Sequence, residues 1–427
     1  MSFDLLLAGA DVVDVGGGHV GRFDVAVHGG RIAAVAPELP HDDARDVVDV
    51  TGKLVTPGLV DLHTHVHPGA TYWGIDPDPI AWYSGVTTWV DAGSAGAYSL
   101  DSLRAATRGY RVRVAALLNI SAVGLTAATG ESRDLDNCDV DLAIATIAGN
   151  RDLVAGVKVR IDRATVGPHG LEPLRRALTV AQACRVPVMA HIGAAPPDVT
   201  EVLALLRPGD IVTHCASGIA AGLTAHGTVT APVRDAYAAG VLFDIGHGSG
   251  GFAFDVLEAQ LAAGLVPHTV SSDLHARCVY GPAFDLPTTM TKMLAVGLAL
   301  EDVVAAATVR PARALGLAGG AGTLTVGTPA DIAVFTVERG EFEVADAHGQ
   351  RRQARQRLAN HATYVAGRLL PPRLPEAPRP WIPLTPAQHA ALHRRTQALR
   401  ELLGRPLVGA DGLAEQFPRP QVDIDQG

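Results

Sequence analysis

Three histidines, His63, His65 and His67, fall within five positions of the stretch "GLVDLHTHVHPG" (58–69). They close a run of apolar residues, Leu59, Val60 and Leu62, interrupted by Asp61. Residues two apart on a strand share a face, so His63 and His65 can deliver two imidazoles to one ion from one strand end. Further along, other short apolar stretches also end in chemistry: "GVKVRID" carries Lys158, "VPVMAHI" carries His191, "DIVTHC" carries His214 and "HTVSSDL" carries Asp273. Imidazoles combined with a carboxylate suit zinc or another first-row divalent ion. A lone histidine at a strand end is more often hydrogen-bonded than metal-bound. Four of them with an aspartate are hard to obtain from packing alone, because buried polar groups cost free energy unless paired. His67 falls just beyond the pair and is set aside as a ligand.

Lys158 is the odd member. A lysine in an apolar strand is costly to bury and tends to lose its proton. Two fates are open to it. It can pair with Asp273 or Asp91, or the neutral amine can add carbon dioxide to become a carbamate, an anion able to bridge two metal ions and offset their repulsion.

The elements that must position these residues are legible as a rhythm. From about residue 57 to 318, short apolar strands alternate with helical stretches such as "LEPLRRALTVAQACR" and "FDVLEAQLAAG". Eight such strands are expected, which is the size and rhythm of a (β/α)8 barrel, an α/β TIM-barrel fold whose chemistry sits at the carboxyl ends of the strands. Residues 3–55 and the segments "GTPADIAVFTVE" and "HATYVAGRLL" read instead as strands between turns. The expected organisation is a small β-sandwich domain built from both chain ends (1–56 and 325–371), a barrel (57–324) and a C-terminal tail (372–427). The tail is proline-rich, then expected to be helical ("TPAQHAALHRRTQALRELLG"), with a polar stretch, "EQFPRPQVDIDQG", expected to be loose.

Composition narrows the partners. The 427-residue chain has a net charge of -9, spread without blocks of like sign, which argues against nucleic acid and anionic membranes. It is 48% apolar but only 5% aromatic, as expected of cores built from Val, Ala and Leu. No run of about 18 apolar residues suggests a membrane span. Asp4 stands where a signal peptide would carry basic residues. Cys138, Cys184, Cys215 and Cys278 show neither a CxxC nor a disulfide-scaffold spacing, which favours a reducing cytoplasm. A cytoplasmic homo-oligomer acting on a small molecule is the expectation.

The combination of "DLHTH", the later lysine, the two single histidines and the final aspartate resembles the amidohydrolase superfamily. Within it, "HPGATYWGIDPDP", "GVTTWVDAGSAG" and "FDIGHGSGGFAF" resemble the dihydroorotase-like amidohydrolase/deacetylase subgroup, and the likeness spans roughly residues 3–370. That resemblance implies two zinc ions: His63 and His65 with Asp273 on the buried one, His191 and His214 on the more exposed one, and carboxylated Lys158 with a hydroxide bridging them. Asp273 would also be the catalytic proton shuttle. The implied reaction is hydrolysis of an amide or ester in a small acylated carboxylate, such as an N-acyl amino acid or an O-acyl 2-hydroxy acid. A cyclic amidase of the dihydroorotase, hydantoinase or imidase type would use the same metal chemistry. A non-catalytic assembly relative would be expected to lack some of these ligands. A serine mechanism is disfavoured, because Ser94 in "DAGSAG" lacks the G-x-S-x-G setting.

Four residues are candidates for substrate binding. Arg160, two positions after Lys158, could clamp a carboxylate or pair with Asp162 or another acid. Asn119 could hydrogen-bond substrate or cap a loop. His247 in "GHGSGG" could donate to an oxyanion or simply occupy a turn. Tyr72, with Trp73, could wall the site or anchor its own loop. Asp76 and Asp78 in "DPDP" are expected to start a helix with proline in its first turn.

Overall fold

The computed structural model describes residues 2–403. The expected loose end, "EQFPRPQVDIDQG", lies outside them. Five strands come first: β1 (Phe3–Asp14), β2 (His19–His28), β3 (Arg31–Ala36), β4 (Ala44–Asp49) and β5 (Leu54–Pro57). In β1, Leu5 and Leu7 face one core with Val25, Val27 and Val334, while Leu6 and Ala8 face another with Ala26. A strand covered on both faces reads as a continuous apolar run, which is why "DLLLA" shows no alternation.

The barrel follows: β6 (Leu59–Thr64), β7 (Val86–Ala92), β8 (Arg113–Asn119), β9 (Val154–Ile161), β10 (Val188–Ile192) and β11 (Ile211–Thr213), then a short hairpin of β12 (Thr224–Ala225) and β13 (Thr228–Val229), then β14 (Leu242–Asp244). β6 to β11 and β14 lie side by side in chain order, all parallel. Helices cover them. The helix Glu172–Cys184 buries Leu174, Ala177, Val180, Ala181 and Cys184, one face at helical spacing. It starts with Pro173 in its first turn and stops at Arg185, whose φ of 55° is left-handed.

The expected eighth strand, "HTVSSDL", differs from a regular one. It is tied by single parallel bridges, Thr269 to Asp244 and Leu274 to Thr64, which still close the barrel. The reason is local. Ser272 donates through its N–H and hydroxyl to Asp61, Ser271 Oγ donates to Asp244, and Asp273 has a left-handed φ of 45°. These side-chain bonds compete with the ladder.

The chain then returns to the first sheet through β15 (Ile332–Ala345), β16 (Arg351–Val365) and β17 (Arg368–Leu369). β15 pairs antiparallel with β5, joining the two chain ends in one sheet beside the barrel. The far end of the β15–β16 hairpin leans on the barrel wall, where Phe254 N donates to Asp346. Beyond residue 371 the chain packs where Tyr280 meets Glu376 O and Tyr72 meets Trp381 O, and the described residues then form a helix, Pro386–Leu403, held where Gln388 Nε2 donates to the carbonyls of Arg277 and Gly281. Among the described residues, no helix is long and apolar enough to cross a membrane. All four cysteines are buried and free.

Candidate active site

The carboxyl ends of the barrel strands bring seven of the expected residues around one cavity of about 250 Å³. His63 is the penultimate residue of β6 and His65 lies just beyond its end, and both Nε2 atoms lie 3.2 Å from Asp273 Oδ1. Lys158 reaches up from β9, its Nζ 2.9 Å from His63 Nε2. His191, in β10, points Nδ1 at His214 Nε2, 2.7 Å away. His214 follows β11 with a φ of 64°, a turn that swings its ring to within 5.2 Å of the His63 ring. His63, His214 and Asp273 each offer one ligand atom within 4.8 Å of the others.

The outer partners decide which nitrogens carry protons. Thr213 Oγ1 donates to Asp244, so it accepts from His63 Nδ1–H at 2.8 Å. Ser94 is engaged with the Asp91 carboxylate and accepts from His65 Nδ1–H at 2.9 Å. A carbonyl can only accept, so His214 Nδ1–H donates to Gly246 O. In all three rings, Nε2 is left with a lone pair turned into the site. Burial keeps these imidazoles neutral: His65 is pushed down to about 3 and His214 to about 4, and His63 and His191 fall well below the ordinary range. Asp273 Oδ1 is buried with no hydrogen-bond partner. An Asp273 oxygen without any donor, facing the unprotonated Nε2 atoms of His63 and His65, suits a cation.

Lys158 is fully buried, and burial pushes its pKa down to about 7. Its neighbours are His63 Nε2 and, at 3.4 Å, Met189 Sδ. It makes no ion pair among the described residues, so the expected alternative of pairing with Asp273 or Asp91 finds no contact to support it. Gly93 makes room for it: a Cβ there would sit 2.6 Å from Lys158 Cγ, and the φ of 82° excludes most side chains.

The four expected substrate contacts fare differently. Arg160 lines the cavity and also pairs with an acid, Glu131 Oε1 at 3.4 Å, in place of Asp162. Asn119 does not reach the cavity. Its amide donates to Gly93 O and accepts from Ser121 N, capping the loop after β8. His247 turns away as well, because a buried lysine claims it: Nε2 faces Lys292 Nζ at 2.7 Å. Tyr72 leans outward on the C-terminal tail, its hydroxyl 3.3 Å from Trp381 O, and Trp73 takes the wall position instead. His67 bonds Ser102, outside the cluster. Asp78 opens the helix Asp78–Ser84, as expected, and accepts from Arg111 N and Arg373.

Sequence reasoning missed His275, which lines the cavity with its Nε2 3.9 Å from Asp273 Oδ2. The repeat of D-L-H in "DLHTH" and "DLHAR" was an available signal. It named Asp162 only as a partner for Arg160; the residue instead caps the helix Arg163–Val166 and stands 3.7 Å from His191 Nε2. It also missed the supports Thr213 and Asp244, and Glu131, which sits in a polar loop that carries no pattern.

Residues 54–354 match the amidohydrolase family, a class of barrel hydrolases, and the chain belongs to that family. It is 37% identical over 333 residues to a deacetylase of Agrobacterium fabrum, covering 76% of this chain and 81% of that one. A solved structure described as an adenine deaminase superposes with a TM-score of 0.81 at 32% identity, covering 86% of this chain and 99% of the other. Another, described as a dihydroorotase, does so with a TM-score of 0.77 at 34% identity, covering 86% and 98%. The protein is a hydrolytic enzyme.

Proposed function

We propose that this enzyme is a binuclear, divalent-metal-dependent deacylase, cleaving the amide or ester of a small acylated carboxylate. The observation that carries the reading is the unpartnered Asp273 Oδ1 surrounded by imidazole lone pairs. His63, His65 and Asp273 would hold one zinc or similar ion, His191 and His214 a second, and carboxylated Lys158 would lie between them. The ions, when bound, supply an acidified water and polarise the scissile carbonyl. Asp273 accepts the proton of the attacking water and returns it to the leaving amine or alkoxide. Thr213 and Ser94 hold His63 and His65 in the tautomer that keeps Nε2 open. Arg160 offers its guanidinium from the cavity wall to the substrate carboxylate; its Glu131 contact, through the buried Nη1 at 3.4 Å, is an ion pair without a hydrogen bond. The deacetylase relative supports an acyl-transfer-to-water reading.

A panel of racemic N-acyl amino acids, O-acyl 2-hydroxy acids and cyclic imides tests this. Turnover of an acylated carboxylate is the expected result. Turnover confined to the imides would defeat deacylation. On the accepted substrate, Arg160→Ala is expected to raise KM by about tenfold or more, with kcat changed much less, as loss of a charged hydrogen bond in binding requires. An unchanged KM would remove Arg160 from substrate recognition.

The ligand set predicts its own losses. His63→Ala and His191→Ala are expected to fold and to lose both turnover and metal, read by elemental analysis of the purified variants. Two full equivalents retained in either would sink that assignment. Thr213→Val is expected to keep the ligands but weaken metal affinity about 10–100-fold, the usual cost of losing an outer partner of a ligating histidine. Chelator titration reads the affinity directly.

A further inference from the structure

Lys292 is a buried cation that the hydrolytic reading leaves unused. It lies on the helix Leu286–Ala295, 1% exposed, and donates to the carbonyl of Pro282 at 2.7 Å. Its other contact is His247 Nε2, also at 2.7 Å. His247 Nδ1–H donates to the carbonyl of Gly248, so Nε2 is the acceptor and Lys292 the donor. No carboxylate pairs with Lys292 among the described residues. A lysine buried on one carbonyl and one imidazole is expensive, and burial pushes its pKa down to about 7. An apolar side chain would pack there at lower cost.

His247 is the second residue of the glycine loop "GHGSGG" (246–251), and that loop touches the site at two ligands. The carbonyl of Gly246 accepts from His214 Nδ1 and so sets that ring's tautomer. Gly248 packs so close to Asp273 that a Cβ would collide with Oδ2, and its φ of 54° suits glycine. The loop is seated on the segment that carries Asp273: His247 N donates to Ser271 O at 3.2 Å and Gly248 N to Ser272 O at 2.9 Å. Ser249, Gly250 and Gly251 then line the cavity.

We propose that Lys292 is a positioning residue: by holding His247 it clamps the glycine loop against His214 and Asp273. The inference rests on the hydrolytic reading of those two residues. The clamp contributes to the reaction through geometry, since Lys292 touches neither the cavity nor a ligand.

The test uses Lys292→Met, His247→Leu and the double variant in the full-length enzyme. Methionine keeps length and removes the charge. In Lys292→Met, kcat is expected to fall about 10–100-fold, as for other outer-shell supports, while KM moves by less than about twofold. Its melting temperature is expected to hold or rise, because a costly buried amine is gone. Backbone hydrogen exchange over residues 246–251 is expected to quicken, with the rest of the barrel unchanged. The double variant is expected to lose no more than the worse single one, because the two side chains act as a unit. Unchanged kcat, additive losses, or a melting temperature that falls together with kcat and metal content would each overturn the proposal; the last would show a merely structural lysine. Should the parent enzyme hydrolyse no acylated carboxylate, the deacylase reading fails while the exchange measurement still decides the clamp: unchanged exchange over 246–251 overturns it.

Discussion

Lys158→Ala is expected to abolish turnover and to leave at most one metal ion per chain. The side chain reaches the centre of the cluster from β9, fully buried and with no carboxylate in contact. Near neutral pH a large share of its amine is uncharged, the form that adds carbon dioxide. Without the carbamate, two dications would face each other across imidazoles alone, with only Asp273 to offset their repulsion. The loss of activity should exceed about 100-fold, since removing even an outer partner of a ligand costs about 10–100-fold. Acetate or propionate, diffusing into the space left by alanine, is expected to restore part of both activity and metal content. Lys158→Arg should be as inactive as alanine, because guanidinium neither loses its charge nor forms a carbamate. Tolerance of arginine, with no response to small acids, would show that Lys158 serves as an ordinary cation.

Asp273→Asn is expected to lower kcat by at least about 100-fold, the lower end of what a positioned proton-transfer group contributes. The asparagine amide keeps the shape but cannot take a proton from water, and it removes the negative charge that faces His63 and His65. The fold should survive, because Oδ1 makes no hydrogen bond that the protein would lose. Metal content should fall less than in Lys158→Ala, since the imidazoles remain. Near-parental kcat at neutral pH would rule out the shuttle role.

The polar cluster was legible in the sequence because it breaks a strong background. His191, His214 and Lys158 interrupt runs of Val, Ala, Met and Ile that have no local use for them. The β-α rhythm, in turn, said which end of each strand to read. The second ring of residues was not legible in the same way. His247 turns outward because Lys292, 45 positions later, claims its ring. Tyr72 leans on Trp381, 309 positions away. Asn119 is spent on its own loop. Such orientations depend on tertiary partners that strand parity cannot supply. The last barrel segment misled for a related reason: its serines and Asp273 read as a strand end, yet the serines' side-chain bonds and the left-handed turn at Asp273 break the ladder.

Metal stoichiometry tests the central claim most directly. The full-length enzyme, produced with zinc and bicarbonate and freed of loosely held ions, should carry two equivalents per chain by elemental analysis. Acidification that destroys the carbamate, followed by reconstitution with zinc alone and then with zinc and bicarbonate, should recover the second equivalent only in the latter. A protein that folds, turns over substrate and holds one equivalent or none under both conditions would contradict the account.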